Sequence, residues 1–457
     1  MKNHLLILMV AIFSINKAWC GIINVPADYA SIQAAIINAA QHDTVVVSPG
    51  TYIENINMRG KNILLTSLYY LSNDTGYIRQ TIIDGSNPSD PDTASCLIIN
   101  SGEDSTCIVQ GFTFTNGTGT KWNDIHGAGL YREGGGILIE LSSPVIRFNL
   151  IVNNVATNLT GVVSAGGGGI RIGDGHPYIL NNIIENNQGR YGAGIVLNYS
   201  GGVLRNNIIA HNLGGQDYGG SGIWAYQNLA GYIKKIENNT IINNVSALYG
   251  GGIYIWNTSA VIINNIVWGN VAPATPQIKL VSAGSTAVTY SNVEGGFAGT
   301  GNLNTNPFFI AQNFFHSPFS PVVDAGDPAI IYNDVDDTTG FAVAPSYGTT
   351  RNDMEAYGGP GAAYLPELSS VFVSVNELIC NSSFSVFPNP ASVTEVLNIV
   401  ANGDSGIIRI LDATGKLVYT KDVHENELIT LALNSFSQSL YTIIWRTPSQ
   451  TMVKKFV

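Results

Sequence analysis

Apolar residues fall in short runs along the middle of the chain, and the runs recur with the same edges. A Gly-rich turn leads into an aliphatic run at Gly135-Gly136-Ile137, Gly168-Gly169-Ile170, Ala193-Gly194-Ile195, Ser221-Gly222-Ile223 and Gly251-Gly252-Ile253. A second run follows each, opened by Asn at Asn149-Leu150-Ile151, Asn181-Asn182-Ile183, Asn206-Asn207-Ile208, Asn238-Asn239-Thr240 and Asn264-Asn265-Ile266. Another Asn closes it, at Asn154, Asn187, Asn212, Asn244 and Asn270. Short runs of this kind predict strands, and self-similarity along the chain predicts a repeat architecture. A helical solenoid needs long helical-period stretches, which are missing. The repeat instead fits a coil of a few short strands. Each coil cannot bury its apolar strands alone, so coils stack at a parallel-strand spacing of about 4.8 Å. The Ile columns then become a stacked core. The Asn columns are expected to form side-chain amide ladders at the turns, with Gly supplying positive φ there.

The flanking segments complete an all-β chain. Tyr29 to Ala40 reads as a short amphipathic helix, N-capped by Ser31, with Ile32, Ala35, Ile36 and Ala39 on one face. It is expected to cover the open first coil. The repeat decays after Val271, and Thr305–Phe309 with Ser317–Pro328 read as a terminal coil and its cap. A linker is expected over 361–380. Alternating strands such as Val396–Val400, Gly406–Leu411 and Ser439–Trp445 then predict a small β-sandwich over 381–457. The predicted fold is a right-handed parallel β-helix over 21–360 with an N-terminal capping helix, followed by that sandwich.

Composition adds the compartment. Lys2 and His4 precede an apolar run from Leu5 to Ile15, and Ala18-Trp19-Cys20 offers a cleavage site before Gly21, so residues 1–20 read as a signal peptide. The net charge of -11 argues against nucleic-acid partners. Cys96 and Cys107 could pair in an oxidising compartment, but buried idle thiols are the simpler reading.

The repeats resemble the pectin-lyase-like right-handed β-helix superfamily. Ser31-Ile32-Gln33 and Pro49-Gly50-Thr51-Tyr52-Ile53-Glu54-Asn55 resemble the first coil of pectinesterases and related proteins. The pectinesterase catalytic signatures have no counterpart, nor has the pectate-lyase Arg-x-Pro-x-x-Arg, so the resemblance implies the fold without those activities. Ser317–Pro328 with Asp353–Pro360 resembles the end of surface-anchored bacterial β-helix proteins, which commonly carry Gly where Glu355 stands. Phe384–Ala391, Leu411–Val418, Tyr441 and Lys454-Lys455 resemble the type IX secretion system sorting domain of Bacteroidetes, with Ser439 in place of its usual Gly. That resemblance implies export by the type IX machinery, removal of the domain, and a secreted or outer-membrane-surface location.

Candidate chemistry follows from strand alternation. With Ile137, Ile170, Ile195, Ile223 and Ile253 inward, one outward column reads Leu138, Arg171, Val196, Trp224 and Tyr254. The next reads Glu140, Gly173, Asn198, Tyr226 and Trp256, with Arg190, Tyr191, Asp217, Tyr218 and Tyr249 beside the strands. Aromatic faces suit sugar rings, and Arg suits carboxylates. The expected substrate-binding residues are Arg171, Arg190, Trp224, Tyr226, Tyr254 and Trp256, with the four aromatics exposed on one sheet; packing against a loop is the alternative. No catalytic residue is assigned. Lys234, Lys235, Arg190 and His211 are candidate bases for uronide elimination. Glu140 and Asp174 are candidates for the carboxylate pair that hydrolysis needs at about 5–9 Å. His126, His176 and His211 lack metal-ligand spacing. Asn333 to Asp337 with Asp324, Asp327 and Asp353 form an acidic cluster, a candidate Ca²⁺ site; no cofactor is otherwise required. The expected function is polysaccharide binding or adhesion by a monomeric surface protein, with a polysaccharide lyase or glycoside hydrolase as the alternative.

Overall fold

The structure, a computed structural model, describes residues 21–310, 313–366, 383–387, 396–402, 405–412, 416–424, 427–433, 436, 441–446 and 451–456. The expected signal peptide and the linker from 367 onward lie outside them. Among the described residues no helix is long and apolar enough to cross a membrane.

Residues 22–293 wind into stacked coils that build parallel sheets along a common axis. The first sheet has 10 strands, from Ile22–Val25 to Ala287–Thr289. The second has 9, from Gly50–Ile53 to Asn292–Val293, and the third has 8, from Ile56–Asn57 to Ile278–Val281. Inward side chains from these sheets form one continuous column core, including Ile137, Ile170, Ile195, Ile223 and Ile253. Burying each such side chain favours folding by about 1.5–3 kcal/mol. The fourth sheet is built from the connections, and it alone departs from parallel pairing: Gly119–Asp124 and Gly129–Glu133 form an antiparallel hairpin.

Two amide ladders pin the turns. One runs Asn149, Asn182, Asn207, Asn239 and Asn265, each Nδ2 donating to the next Oδ1 at 3.0–3.1 Å, and it ends where Asn265 N donates to Ser291 Oγ. The other runs Asn154, Asn187, Asn212, Asn244 and Asn270 and ends on Gln277. Positive φ is only partly the work of glycine. Asn181, Asn206, Asn238 and Asn264 adopt it beside the first ladder, at φ 52–59°. The glycine just before each core Ile has a different reason. A Cβ on Gly194 would stand 2.5 Å from the carbonyl oxygen of Gly222, and one on Gly222 would stand 2.4 Å from that of Gly252. Coil stacking leaves no room for a side chain there.

The helix Ile32–Asn38 closes the first coil as expected, with Ile32, Ala35, Ile36 and Ala39 in the core. Ser31 Oγ accepts from Ala34 N, and Glu54 accepts from the N–H groups of Ile32 and Gln33. The segment expected to cap the far end does something else. Its described part, Leu303 to Pro366, runs back along the outer face of the second sheet, where Val322, Met354, Ala356, Tyr357 and Leu365 cover Leu150, Ile183, Ile208, Ile242 and Ile266. The left-handed asparagines hold this strap. Asn206 Nδ2 donates to the Ala356 and Gly358 carbonyls, Asn238 Nδ2 to that of Asp353, Asn181 Nδ2 to that of Gly361, and Asn264 Oδ1 accepts from Asp327 N. Residues 361–366, expected as linker, therefore belong to the strap. The outer face of the second sheet is too apolar to face water, which is why a non-repetitive segment covers it.

The C-terminal residues form two antiparallel sheets of 3 and 4 strands around Leu397, Ile399, Ile408, Ile410, Ile443 and Trp445. Cys96 and Cys107 are buried free thiols, and burial raises the Cys96 pKa to about 12.

Candidate functional site

The third sheet carries the expected columns in register. Arg171 pairs with Val196, Val196 with Trp224 and Trp224 with Tyr254, while Asn198 pairs with Tyr226 and Tyr226 with Trp256. Parallel strands without a bulge place each ring beside the next along the axis. The Tyr226 and Trp256 ring centroids lie 4.8 Å apart, and the Trp224 and Tyr226 rings stack at 5.9 Å.

The two columns have different fates, and the expectation of four exposed rings is corrected. Trp224 and Tyr254 are 5% and 4% exposed. Tyrosines from the fourth sheet and from the turn that follows it fold over them: Tyr191 meets the Trp224 ring edge-on at 5.1 Å, and Tyr249 meets Tyr254 at 5.0 Å. Tyr226 and Trp256 remain half-buried and accessible. With Asp124, Tyr131, Glu133, Tyr191, Asn198, Tyr199, Tyr218 and Trp224 they line a cleft of about 220 Å³. The hairpin supplies one wall through Asp124, Tyr131 and Glu133. Buried Trp224 and Tyr191 back the accessible pair and hold it in place.

The charged groups are largely engaged by one another. Arg171 is 1% exposed and bridges two carboxylates, with Nε 2.9 Å from Glu133 and Nη1 against Glu140. It is a buried structural cation, which corrects its expected role on the outer surface. Tyr191 Oη donates to Glu133, and burial followed by the Glu133 charge raises the Tyr191 pKa well above its usual value. Arg190 is accessible but holds Asp217 through two bonds, Nε–Oδ2 at 2.8 Å and Nη2–Oδ1 at 2.5 Å; that hydrogen bonding raises its pKa. Arg190 does not line the cleft.

The other candidates disperse. Glu140 is fully buried beside Arg171, whereas Asp174 binds His126 Nε2 at 2.9 Å, so they do not form a free carboxylate pair. The His126 ring stacks on Tyr199 at 3.5 Å, and the Asp124 carboxylate accepts from His126 N. Lys234 is fully buried in the first sheet, where its Nζ donates to the carbonyls of Ser200 and Gln227 and to Asn228 Oδ1. Burial lowers its pKa to about 7, but it has no route to a ligand in the cleft. Lys235 is exposed on the same strand. His211 faces Glu185 on the second sheet, away from the cleft, and His176 Nδ1 accepts from Gly202 N. In the acidic segment, Asp324 accepts from Thr349, Asp336 from Thr338 N and Asp337 from Thr339 N. Among the described residues no group of three or more His, Cys, Asp or Glu is arranged to hold a metal ion.

Asp124, Tyr131, Glu133 and Tyr199 were not singled out from the sequence. The first three lie on a hairpin outside the repeat, and Tyr199 occupies a left-handed turn at φ 45°. The polar residues Asp124 and His126, at the turn between two glycine-containing strands, were the available signal.

Residues 95–295 match the family model of the right handed beta helix region, and residues 385–457 match that of a secretion system C-terminal sorting domain. The chain is a secreted or cell-surface right-handed β-helix protein, and its sorting domain implies recognition by the type IX secretion machinery. Searches of curated proteins and of solved structures returned no significant match.

Proposed function

We propose that this protein binds a polysaccharide at the aromatic cleft of its third sheet, outside the cell. The observation that carries the reading is the accessible Tyr226–Trp256 pair, set 4.8 Å apart on neighbouring strands and backed by buried Trp224. Sugar rings present C–H faces that pack on aromatic rings, and their hydroxyls suit the polar groups at the rim. A volume of about 220 Å³ suits a single sugar unit with the rest of its chain in solvent. Binding is favoured over hydrolysis because the Glu133 carboxylate is already held by Arg171 and Tyr191.

A glycan array probed with the full mature chain tests this, followed by reducing-end and unsaturated-uronide assays on every hit. Retained glycans without bond cleavage are expected. An array with no glycan retained by the wild-type chain contradicts the proposal, and cleavage of a hit replaces binding with catalysis.

A further inference from the structure

The electrostatic make-up of the cleft narrows the class of sugar, given that the cleft binds glycans. Among the described residues, its only charged lining groups are Asp124 and Glu133, both acidic. The Arg171 guanidinium lies buried between Glu133 and Glu140, and Arg190 is closed onto Asp217 outside the lining. A carboxylated sugar would lose water on entry, find no cation, and face acidic side chains. The uncharged part of the lining points the other way: Tyr226 and Trp256 offer accessible rings to the C–H face of a sugar, and a neutral sugar brings no charge that needs a counter-ion.

We propose that the cleft takes an uncharged sugar unit on the Tyr226–Trp256 rings and discriminates against uronates. The sequence offered Arg171 and Arg190 as partners for carboxylated sugars, and the lining reverses that expectation. The discrimination is electrostatic and includes Asp124, which stands largely buried on the hairpin with Oδ2 3.4 Å from Asn198 Nδ2.

The test is calorimetric titration of the full mature chain with cellohexaose, laminarihexaose, mannohexaose and xylohexaose against hexagalacturonate and hexamannuronate. At least one neutral hexaose should bind, and the acidic oligosaccharides should bind about tenfold more weakly or not at all, as expected for a charge without a counter-ion. Trp256→Ala should weaken the neutral ligand. Asp124→Asn should narrow the gap, and raised salt should narrow it less, because Asp124 is largely buried. An acidic hexamer that binds as tightly as the best neutral one, and loses affinity in Trp256→Ala, overturns the discrimination and leaves the glycan-binding reading standing. A neutral ligand unaffected by Trp256→Ala places binding elsewhere and overturns both. Absence of binding to every probe also overturns both.

Discussion

Replacing Asn207 by Leu removes a rung from the middle of the first amide ladder without greatly changing side-chain volume. Asn207 Nδ2 donates to the Ile179 carbonyl at 2.7 Å, to the Arg205 carbonyl at 3.1 Å and to Asn239 Oδ1 at 3.0 Å. Its Oδ1 accepts from Asn182 N at 2.9 Å and from Asn182 Nδ2 at 3.1 Å. With Leu in place, the Asn182 N–H loses its acceptor and the Ile179 carbonyl loses its side-chain donor. At about 1–3 kcal/mol for each of these two buried groups left unpaired, the β-helix should lose roughly 2–6 kcal/mol. Asn207→Ser provides the comparison. Ser291 already ends this ladder, its Oγ accepting from Asn265 N and donating to the Thr289 carbonyl. Serine at 207 restores an acceptor and a donor in a smaller side chain, so its cost should fall between Leu and wild type. Urea unfolding followed by circular dichroism gives the midpoints, with a shift on the order of 1 M for Leu. A Leu midpoint equal to wild type, or a Ser variant as unstable as Leu, would refute the view that the ladder stabilises stacking.

Three further outcomes follow from burial and charge. Trp224→Ala should cost about 3–5 kcal/mol of stability because the ring is buried, whereas Tyr226→Ala should leave the urea midpoint nearly unchanged; the reverse order would contradict Trp224 as the buried backing and Tyr226 as the accessible ring. In the strap, burial raises the pKa of Asp334 to about 8 and that of Asp353 to about 7, burial also raises Glu355, and Glu355 and Asp353 outweigh burial in raising His316. All four therefore hold protons more tightly folded than unfolded. Their contribution is full below the unfolded pKa values and is lost as pH rises through the folded ones, so the melting temperature should fall from about pH 5 to pH 7, and Asp334→Asn should flatten that fall. A melting temperature that rises across this window would be inconsistent with the buried cluster. A chain ending at Pro366 keeps the strap and should melt as cooperatively as the β-helix of the full chain, while one ending before Val322 should expose the second sheet and aggregate; loss of cooperativity in the longer chain would show that the sorting domain stabilises the β-helix.

The stacked coils were legible because each one repeats its chemistry. Asn207 and Asn239 occupy equivalent places in sequence, so the bond between them follows from stacking alone. Alternation from Ile223 and Ile253 likewise set Trp224 beside Tyr254 and Tyr226 beside Trp256. Burial of the first column was not legible, because Tyr191 and Tyr249 come from connections whose path the repeat does not fix. The strap escaped for a related reason. Its residues pair with coils distant in sequence, as Asn206 does with Ala356, and a non-repeating segment carries no period from which to read a partner. Glu355 shows what such contacts permit. It stands at φ 150°, fully buried and paired with His316. Local preference opposes a non-glycine residue there, and the facing imidazole offsets the cost.

The most direct measurement is a side-by-side calorimetric and urea-denaturation comparison of wild type and Trp256→Ala, using the tightest ligand from the glycan array. The Trp256 ring is accessible and packs beside Tyr226, so its loss should weaken binding by about 1–2 kcal/mol, roughly five- to thirtyfold, with the unfolding midpoint unchanged. Unaltered affinity together with a lowered midpoint would make the ring part of the packing and contradict the cleft as a sugar site.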